Sequence, residues 1–322
     1  MKRILGIGNA LVDIMTPLEN DDFLSHIGLA KGSMELVDLD TSKKILSQTE
    51  GLKKTLTSGG STANTIYGIA KLTGNAGYIG KINKDKYGDF FASDMKKAGV
   101  NMHLSYSDST PTGVAVALVS PDSERTFATY LGAAVELSAN ELNPSIFSQY
   151  DLLHLEGYLI FDEELVMRAL HLAKQYNLLV SIDLASFNVV EIKKDFLKKI
   201  IKDYIDIVFA NEEEAKAYTG LEAEDALHKI AEEVQISVVK TGGKGSMIKH
   251  NDTIYKVDAI KVNAIDTTGA GDFYAAGFLY GMTQHYPLDK CGRIGSYLAG
   301  RVVEVIGAKP AKDVWAEIKN IN

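Results

Sequence analysis

The chain of 322 residues is 46% hydrophobic and 24% charged, with a formal net charge of -8 at pH 7. That balance is ordinary for a globular protein and holds no basic footprint for nucleic acid, and the single cysteine, Cys291, excludes an intramolecular disulfide and suits a reducing compartment. No stretch approaches the roughly 20 apolar residues of a membrane-spanning helix, so a cytoplasmic protein with neither membrane nor nucleic-acid partner is expected.

The apolar run after Met1-Lys2-Arg3 is too short for a signal-peptide core and lacks a small-residue cleavage site, so residues 4–8 read as a first strand. Apolar runs at 76–79, 152–155, 179–182, 207–210 and 237–240 read as further buried strands. Between them, 61–73, 90–98, 163–175, 196–204, 212–218 and 224–233 carry helical patterns, and two more helices follow around 272–284 and 289–305. Such alternation predicts an α/β fold with a mostly parallel sheet covered on both faces. Two regions interrupt it. Residues 16–39 hold Pro17, an acidic cluster and the turn Ala30-Lys31-Gly32-Ser33, and 102–130 read as short β segments with a turn at Pro121-Asp122-Ser123. Small antiparallel pieces inserted in this way commonly make a lid over the ligand crevice. A single domain over 1–322 is expected, its lid formed by parts of 14–40 and 102–130.

Five places carry chemistry. In Gly8-Asn9-Ala10-Leu11-Val12-Asp13, polar Asn9 and Asp13 follow a buried strand, where open α/β sheets bind ligands. Asp13 can accept from adjacent hydroxyls of a polyol or ribose, or simply cap the next segment. In Ser58-Gly59-Gly60-Ser61-Thr62-Ala63-Asn64, Ser61 can cap a helix while the glycines admit a ligand and Asn64 lies one turn in. The acids of Asn211-Glu212-Glu213-Glu214 complement a helix dipole, and Asn211 and Glu214 can share a face and orient water around Mg²⁺. Lys240-Thr241-Gly242-Gly243-Lys244-Gly245-Ser246 reads either as a Gly-rich hairpin turn or as a loop along a nucleotide, with Lys240, Thr241 and Gly243 as contacts. It is not a Walker A motif, and the first strand-to-helix turn lacks a dinucleotide fingerprint. In Asp266-Thr267-Thr268-Gly269-Ala270-Gly271-Asp272, a Gly-rich loop opens a helix, whose N-terminal N–H groups attract anions. A carboxylate there repels phosphate, so the pair makes sense if Asp272 takes a proton from a hydroxyl attacking that phosphate. The seven histidines show no metal-ligand spacing, and Cys291 reads as a buried structural thiol.

Taken in order, these motifs resemble the ribokinase (PfkB-type) family of carbohydrate and nucleoside kinases: Gly-Gly-Ser-Thr-Ala-Asn near residue 60, Asn-x-x-Glu at 211–214, and Asp-Thr-Thr-Gly-Ala-Gly-Asp-Phe-Tyr-Ala-Ala-Gly-Phe at 266–278. The resemblance implies a ribokinase-like three-layer sandwich with a small inserted β lid. It implies Asp272 as catalytic base, Gly269, Ala270 and Gly271 as anion hole, and Asn9, Asp13, Gly59, Gly60 and Asn64 around the acceptor. Asn211 and Glu214 would organise Mg²⁺ through water, and Lys240, Thr241 and Gly243 would lie along ATP. Asp266, Thr268 and Gly307 resemble a monovalent-cation site suited to K⁺. Tyr274 stands where Phe is usual, and Ser61-Thr62 replace commoner small or Asn residues. Segments 123–134 and 155–159 look most like bacterial adenosine-kinase-like members. Tyr130, Tyr158 or Phe187 would then stack on a base or merely pack, and Arg125 would meet the transferred phosphate or form a surface ion pair. The expected reaction is ATP-dependent phosphorylation of a primary hydroxyl, with adenosine to AMP as the leading case. A free sugar (ribose, fructose or 2-keto-3-deoxygluconate) is the alternative acceptor, and a non-catalytic sensor the alternative class. Either a monomer or a homodimer is compatible with the sequence.

Overall fold

The computed structural model describes residues 2–122, 124–311, 314–318 and 321, so the turn residue Ser123 lies outside it. Among the described residues, nine strands form one sheet in the order Thr253–Val257, Ser246–His250, Ile236–Lys240, Ile207–Asn211, Leu179–Asp183, Leu152–Glu156, Ile4–Ile7, Ala76–Asn83, Val100–Ser107. All neighbours from Ile236–Lys240 to Val100–Ser107 pair in parallel, and an antiparallel hairpin closes the other edge. Successive side chains point to opposite faces, and both faces are dry. Ile4, Ile207, Phe209 and Val238 enter one core with Ile66, Phe273, Phe278 and Leu298 of the helices Ser61–Thr73, Ala270–Thr283 and Leu288–Val302. Leu5, Val208, Ala210 and Val239 enter a second core with Leu170, Ile200 and Leu227 from the helices Glu163–Gln175, Lys194–Tyr204 and Ala223–Ile230. The result is the expected α/β sandwich of helix, sheet and helix. None of the described helices is long and apolar enough to cross a membrane.

Five further strands form a second sheet in the order Met34–Leu36, Arg125–Gly132, Thr112–Val119, Leu11–Pro17, Thr55–Gly59. It is mixed rather than antiparallel, because Leu11–Pro17 runs parallel to Thr112–Val119 and Met34–Leu36 parallel to Arg125–Gly132. Two expectations shift here. Val100–Ser107 belongs to the main sheet beside Ala76–Asn83, although the expected lid segment began at 102. Its largely polar, half-exposed residues read as an insertion because it is an edge strand. Asp13 is not in a loop but inside the strand Leu11–Pro17, opposite Thr57.

The two sheets meet at Gly8-Asn9-Ala10, and one buried carboxylate ties that junction. Glu156 accepts the side-chain amide of Asn9 at 2.5 Å, the Asn9 N–H at 3.3 Å and the Thr62 N–H at 3.1 Å. It thereby caps the helix Ser61–Thr73 from a strand far away in sequence. Burial pushes its carboxyl up to about 7, against the pull of those donors. Gly60 enters the same helix at φ +98°, and a β-carbon there would lie 2.0 Å from the Asn9 carbonyl oxygen, so only glycine fits. Glu156→Ala strands several buried donors at once and is expected to lower the unfolding free energy by about 3 kcal/mol or more. Glu156→Gln keeps an acceptor and should cost less. Urea titration reads both, and an unchanged midpoint for the alanine variant would contradict the role.

Candidate active site

The carboxyl ends of the parallel strands gather around the first turn of the helix Ala270–Thr283, with Asp183 and Lys240 closing two of them. Gly269 takes φ +77° at the N-cap, and Asp272 follows in that first turn. Its carboxylate accepts the Ser61 hydroxyl at 2.7 Å on one oxygen and the Asn64 amide at 2.9 Å on the other, while the Thr65 hydroxyl donates to its carbonyl at 3.1 Å. Two helix N-termini thus face each other across one carboxylate. Burial raises Asp272 to about 6, opposed by the Asn64 and Ser61 hydrogen bonds, with the Asp183 charge adding and the Lys240 charge subtracting. Ser61, expected to cap the helix Ser61–Thr73, is instead its first residue after the Gly60 N-cap, and its hydroxyl serves Asp272, which the helix spacing does not announce. The Ala270 N–H turns back to the Thr267 carbonyl at 3.2 Å. The N–H groups of Gly271 and Asp272 lie in the turn where a helix offers no internal acceptor.

Lys240 ends its strand beside this turn. Its ammonium donates to Asp183 at 2.7 Å, and a β-carbon on Gly271 would lie 3.0 Å from it. Burial alone would lower the Lys240 pKa, but the charges of Asp183, Glu214 and Asp272 hold it above the ordinary value. Asn211 and Glu214 lock onto each other. Glu214 accepts the Asn211 N–H and side-chain amide, each at 2.7 Å, and the Glu214 N–H returns to Asn211 Oδ1 at 2.8 Å, a reciprocal cap. Burial pushes the Glu214 carboxyl up, against the attraction of Lys240. Among the described residues no group of three or more His, Cys, Asp or Glu side chains is placed to cage a metal. The acid excess around Lys240 nevertheless fits a hydrated divalent cation held mainly by nucleotide phosphates. Thr241 and Gly243 lie on the turn after Lys240, with open space beside Gly243.

The surroundings of Asp13 are built differently. Asp13 packs so closely on Gly59 that a β-carbon there would sit within 2.1 Å of its carboxylate. Burial pushes Asp13 up to about 7, with Lys309 opposing and the charges of Asp272 and Asp266 adding. Lys309, which the sequence did not mark, donates to Asp94 at 2.7 Å and to the Ser58 hydroxyl, and lies 3.9 Å over the Tyr67 ring. Asn9 faces Glu156, and Asn64 holds Asp272 while its own carbonyl oxygen is buried without a hydrogen-bond partner. Cys291 is buried, and burial pushes its thiol up to about 12, so it is inert.

Asp266 is almost fully buried below the loop. One of its oxygens accepts the Gly307 N–H at 2.6 Å, and the other accepts the Thr268 N–H at 2.8 Å and pairs with the Arg125 guanidinium. Arg125, expected either at the transferred phosphate or in a surface ion pair, forms a largely buried ion pair with Asp266, one of the residues for which the resemblance implied a monovalent cation.

Residues 27–314 match the profile of the pfkB family carbohydrate kinases. The chain belongs to this family. As a PfkB kinase it is an ATP-using phosphotransferase acting on an alcohol. It is 33% identical to a probable sugar kinase of Rhizobium etli CFN 42, covering 99% of this chain and 98% of that one at a TM-score of 0.90. It is 32% identical to the adenosine kinase of Sinorhizobium meliloti, covering 100% and 99% at a TM-score of 0.90. A nucleoside kinase of Methanocaldococcus jannaschii is 31% identical over 81% of this chain and 83% of its own.

Asp13 near 7 and Asp272 near 6 both lie above the ordinary aspartate value, so both lose their charge as pH falls through that window. If Asp13 and Asp272 both act as carboxylates, kcat/KM of the PfkB kinase is expected to show an acid limb between about pH 7 and 6, steeper than one proton. Asp13→Asn should reduce the steepness to one. A flat profile down to about pH 5 would contradict these environments.

Proposed function

We propose that this PfkB kinase transfers the γ-phosphate of Mg–ATP to the primary hydroxyl of a ribonucleoside, with adenosine as the preferred acceptor. The observation that carries the reading is the Asp272 carboxylate, fixed by Ser61 and Asn64 in the first turn of a Gly-led helix with the Lys240 ammonium alongside. Asp13, packed against Gly59, accepts the paired ribose hydroxyls beside Gly60 and points the primary hydroxyl at Asp272. Asp272 takes its proton as it attacks in line. The Gly269-Ala270-Gly271 turn receives the phosphoryl oxygens at the positive helix end, and Lys240 balances the charge that develops. Asn211 and Glu214 would hold the water of a bound Mg²⁺, which would supply charge neutralisation at the phosphates, while Thr241 and Gly243 border the nucleotide.

The single domain, with the five-stranded sheet as its lid, excludes water from the reacting centre and so limits ATP hydrolysis. The nucleoside preference is supported by the similarity to the sinorhizobial adenosine kinase and the archaeal nucleoside kinase. It is supported also by Tyr158 and Phe187, 39% and 42% exposed, which follow the carboxyl ends of two central strands and are free to stack on a base. The resemblance to a probable sugar kinase keeps a free sugar as the second reading. Coupled ADP release with Mg–ATP should be selective for adenosine over other nucleosides, ribose, fructose and 2-keto-3-deoxygluconate. A signal with a free sugar alone would overturn the nucleoside assignment and leave the chemistry standing. Ligand-induced thermal stabilisation without ADP release in the presence of any of these acceptors would overturn the catalytic reading in favour of a sensor.

A further inference from the structure

Arg125 lies at the start of the strand Arg125–Gly132, paired through its backbone with Val119 in the five-stranded sheet. Its guanidinium leaves that sheet, reaches the loop ahead of the helix Ala270–Thr283 and is itself buried, only 9% of the side chain being exposed. There it pairs with the fully buried Asp266 carboxylate and donates to the Ile265 carbonyl at 3.4 Å. We propose that Arg125 is the built-in counterion of the phosphate-binding loop, standing in for a monovalent cation, so that this kinase works without K⁺. The inference rests on the phosphotransferase reading of the same site.

Three observations carry it. An ionised carboxylate removed from water needs a counter-charge or full hydrogen bonding, and a guanidinium cannot deprotonate to escape the pairing. The residues expected to bind the cation meet Asp266 through donors, since Thr268 and Gly307 both present N–H groups at 2.8 and 2.6 Å. An alkali cation requires oxygen lone pairs, and a second positive charge beside a desolvated guanidinium is repelled. Finally, Gly307 and Ala308 hold the loop from the other side. The Gly307 N–H grips Asp266, and Ala308 packs where a β-carbon on Gly269 would lie at 3.0 Å. The loop is thus fixed by protein groups on both flanks, and its positive charge arrives with the five-stranded sheet.

The test compares KCl with choline chloride at constant ionic strength, reading both ADP release and the Tm of the ligand-free protein. Wild type should change kcat/KM by less than about twofold on K⁺ addition and keep the same Tm. Arg125→Met frees a lone pair of Asp266 and the Ile265 carbonyl. It should lose about tenfold or more in the absence of K⁺ and recover, with a raised Tm, on adding KCl or millimolar guanidinium. Arg125→Lys should stay indifferent to K⁺. Severalfold activation of the wild type by K⁺ would overturn the proposal, whether or not the methionine variant folds. So would a folded Arg125→Met whose rate and Tm ignore both cations, which would assign Arg125 to the phosphate instead. The Tm comparison needs no acceptor, so a wrong choice of acceptor cannot imitate either failure.

Discussion

The contact on which the site depends is the meeting of two helix N-termini at Asp272. The helix Ser61–Thr73 brings a hydroxyl and an amide to the carboxylate, and the helix Ala270–Thr283 carries that carboxylate in its own first turn. Both helix ends are electropositive, and both gain from the same negative charge. The helices approach closely enough for this because Gly68 faces Ala276 and Phe273, where a β-carbon would lie 2.8 Å from the Ala276 methyl. Packing therefore decides chemistry. The glycine that lets the helices touch also places Ser61 and Asn64 within hydrogen-bond reach of Asp272, whose burial raises its pKa to about 6.

Charge around this contact is distributed by element. Lys240 comes from the main sheet and faces Asp183, Lys309 comes from the C-terminal segment and faces Asp94, and Arg125 comes from the five-stranded sheet and faces Asp266. Asp13 and Asp272 hold no direct ion pair among the described residues, which suits both to the hydroxyl-binding roles proposed for them. Glu156 is the structural counterpart: its oxygens are consumed by N–H groups at the junction of the two sheets.

The parallel core was readable because strands buried on both faces are continuous apolar runs. The helices Ser61–Thr73 and Glu163–Gln175 match their sequence patterns residue for residue. The second sheet was only partly readable. Leu11–Pro17 begins just beyond a three-residue break, and Asp13 within it resembles a loop acid. Val100–Ser107 is an edge strand, whose polarity imitates an insertion. The residues at 266–272 marked the helix N-terminus, yet no local spacing announces Ser61 at Asp272, Glu156 at Asn9, Lys309 at Ser58 or Arg125 at Asp266. Each pair lies on elements that only the folded topology brings together, so its chemistry is absent from any window of the sequence.

The most direct test of the account replaces Asp272 by Asn. The carbonyl oxygen of Asn64 is buried without a hydrogen-bond partner, so a flipped Asn64 amide can still hold the new side chain and preserve the clamp. Turnover should fall by about 10²–10⁴-fold, the contribution of a positioned general base, while calorimetry shows acceptor affinity within about twofold of wild type. Near-normal turnover in a folded Asp272→Asn protein would contradict the assignment of the base and the site built around it.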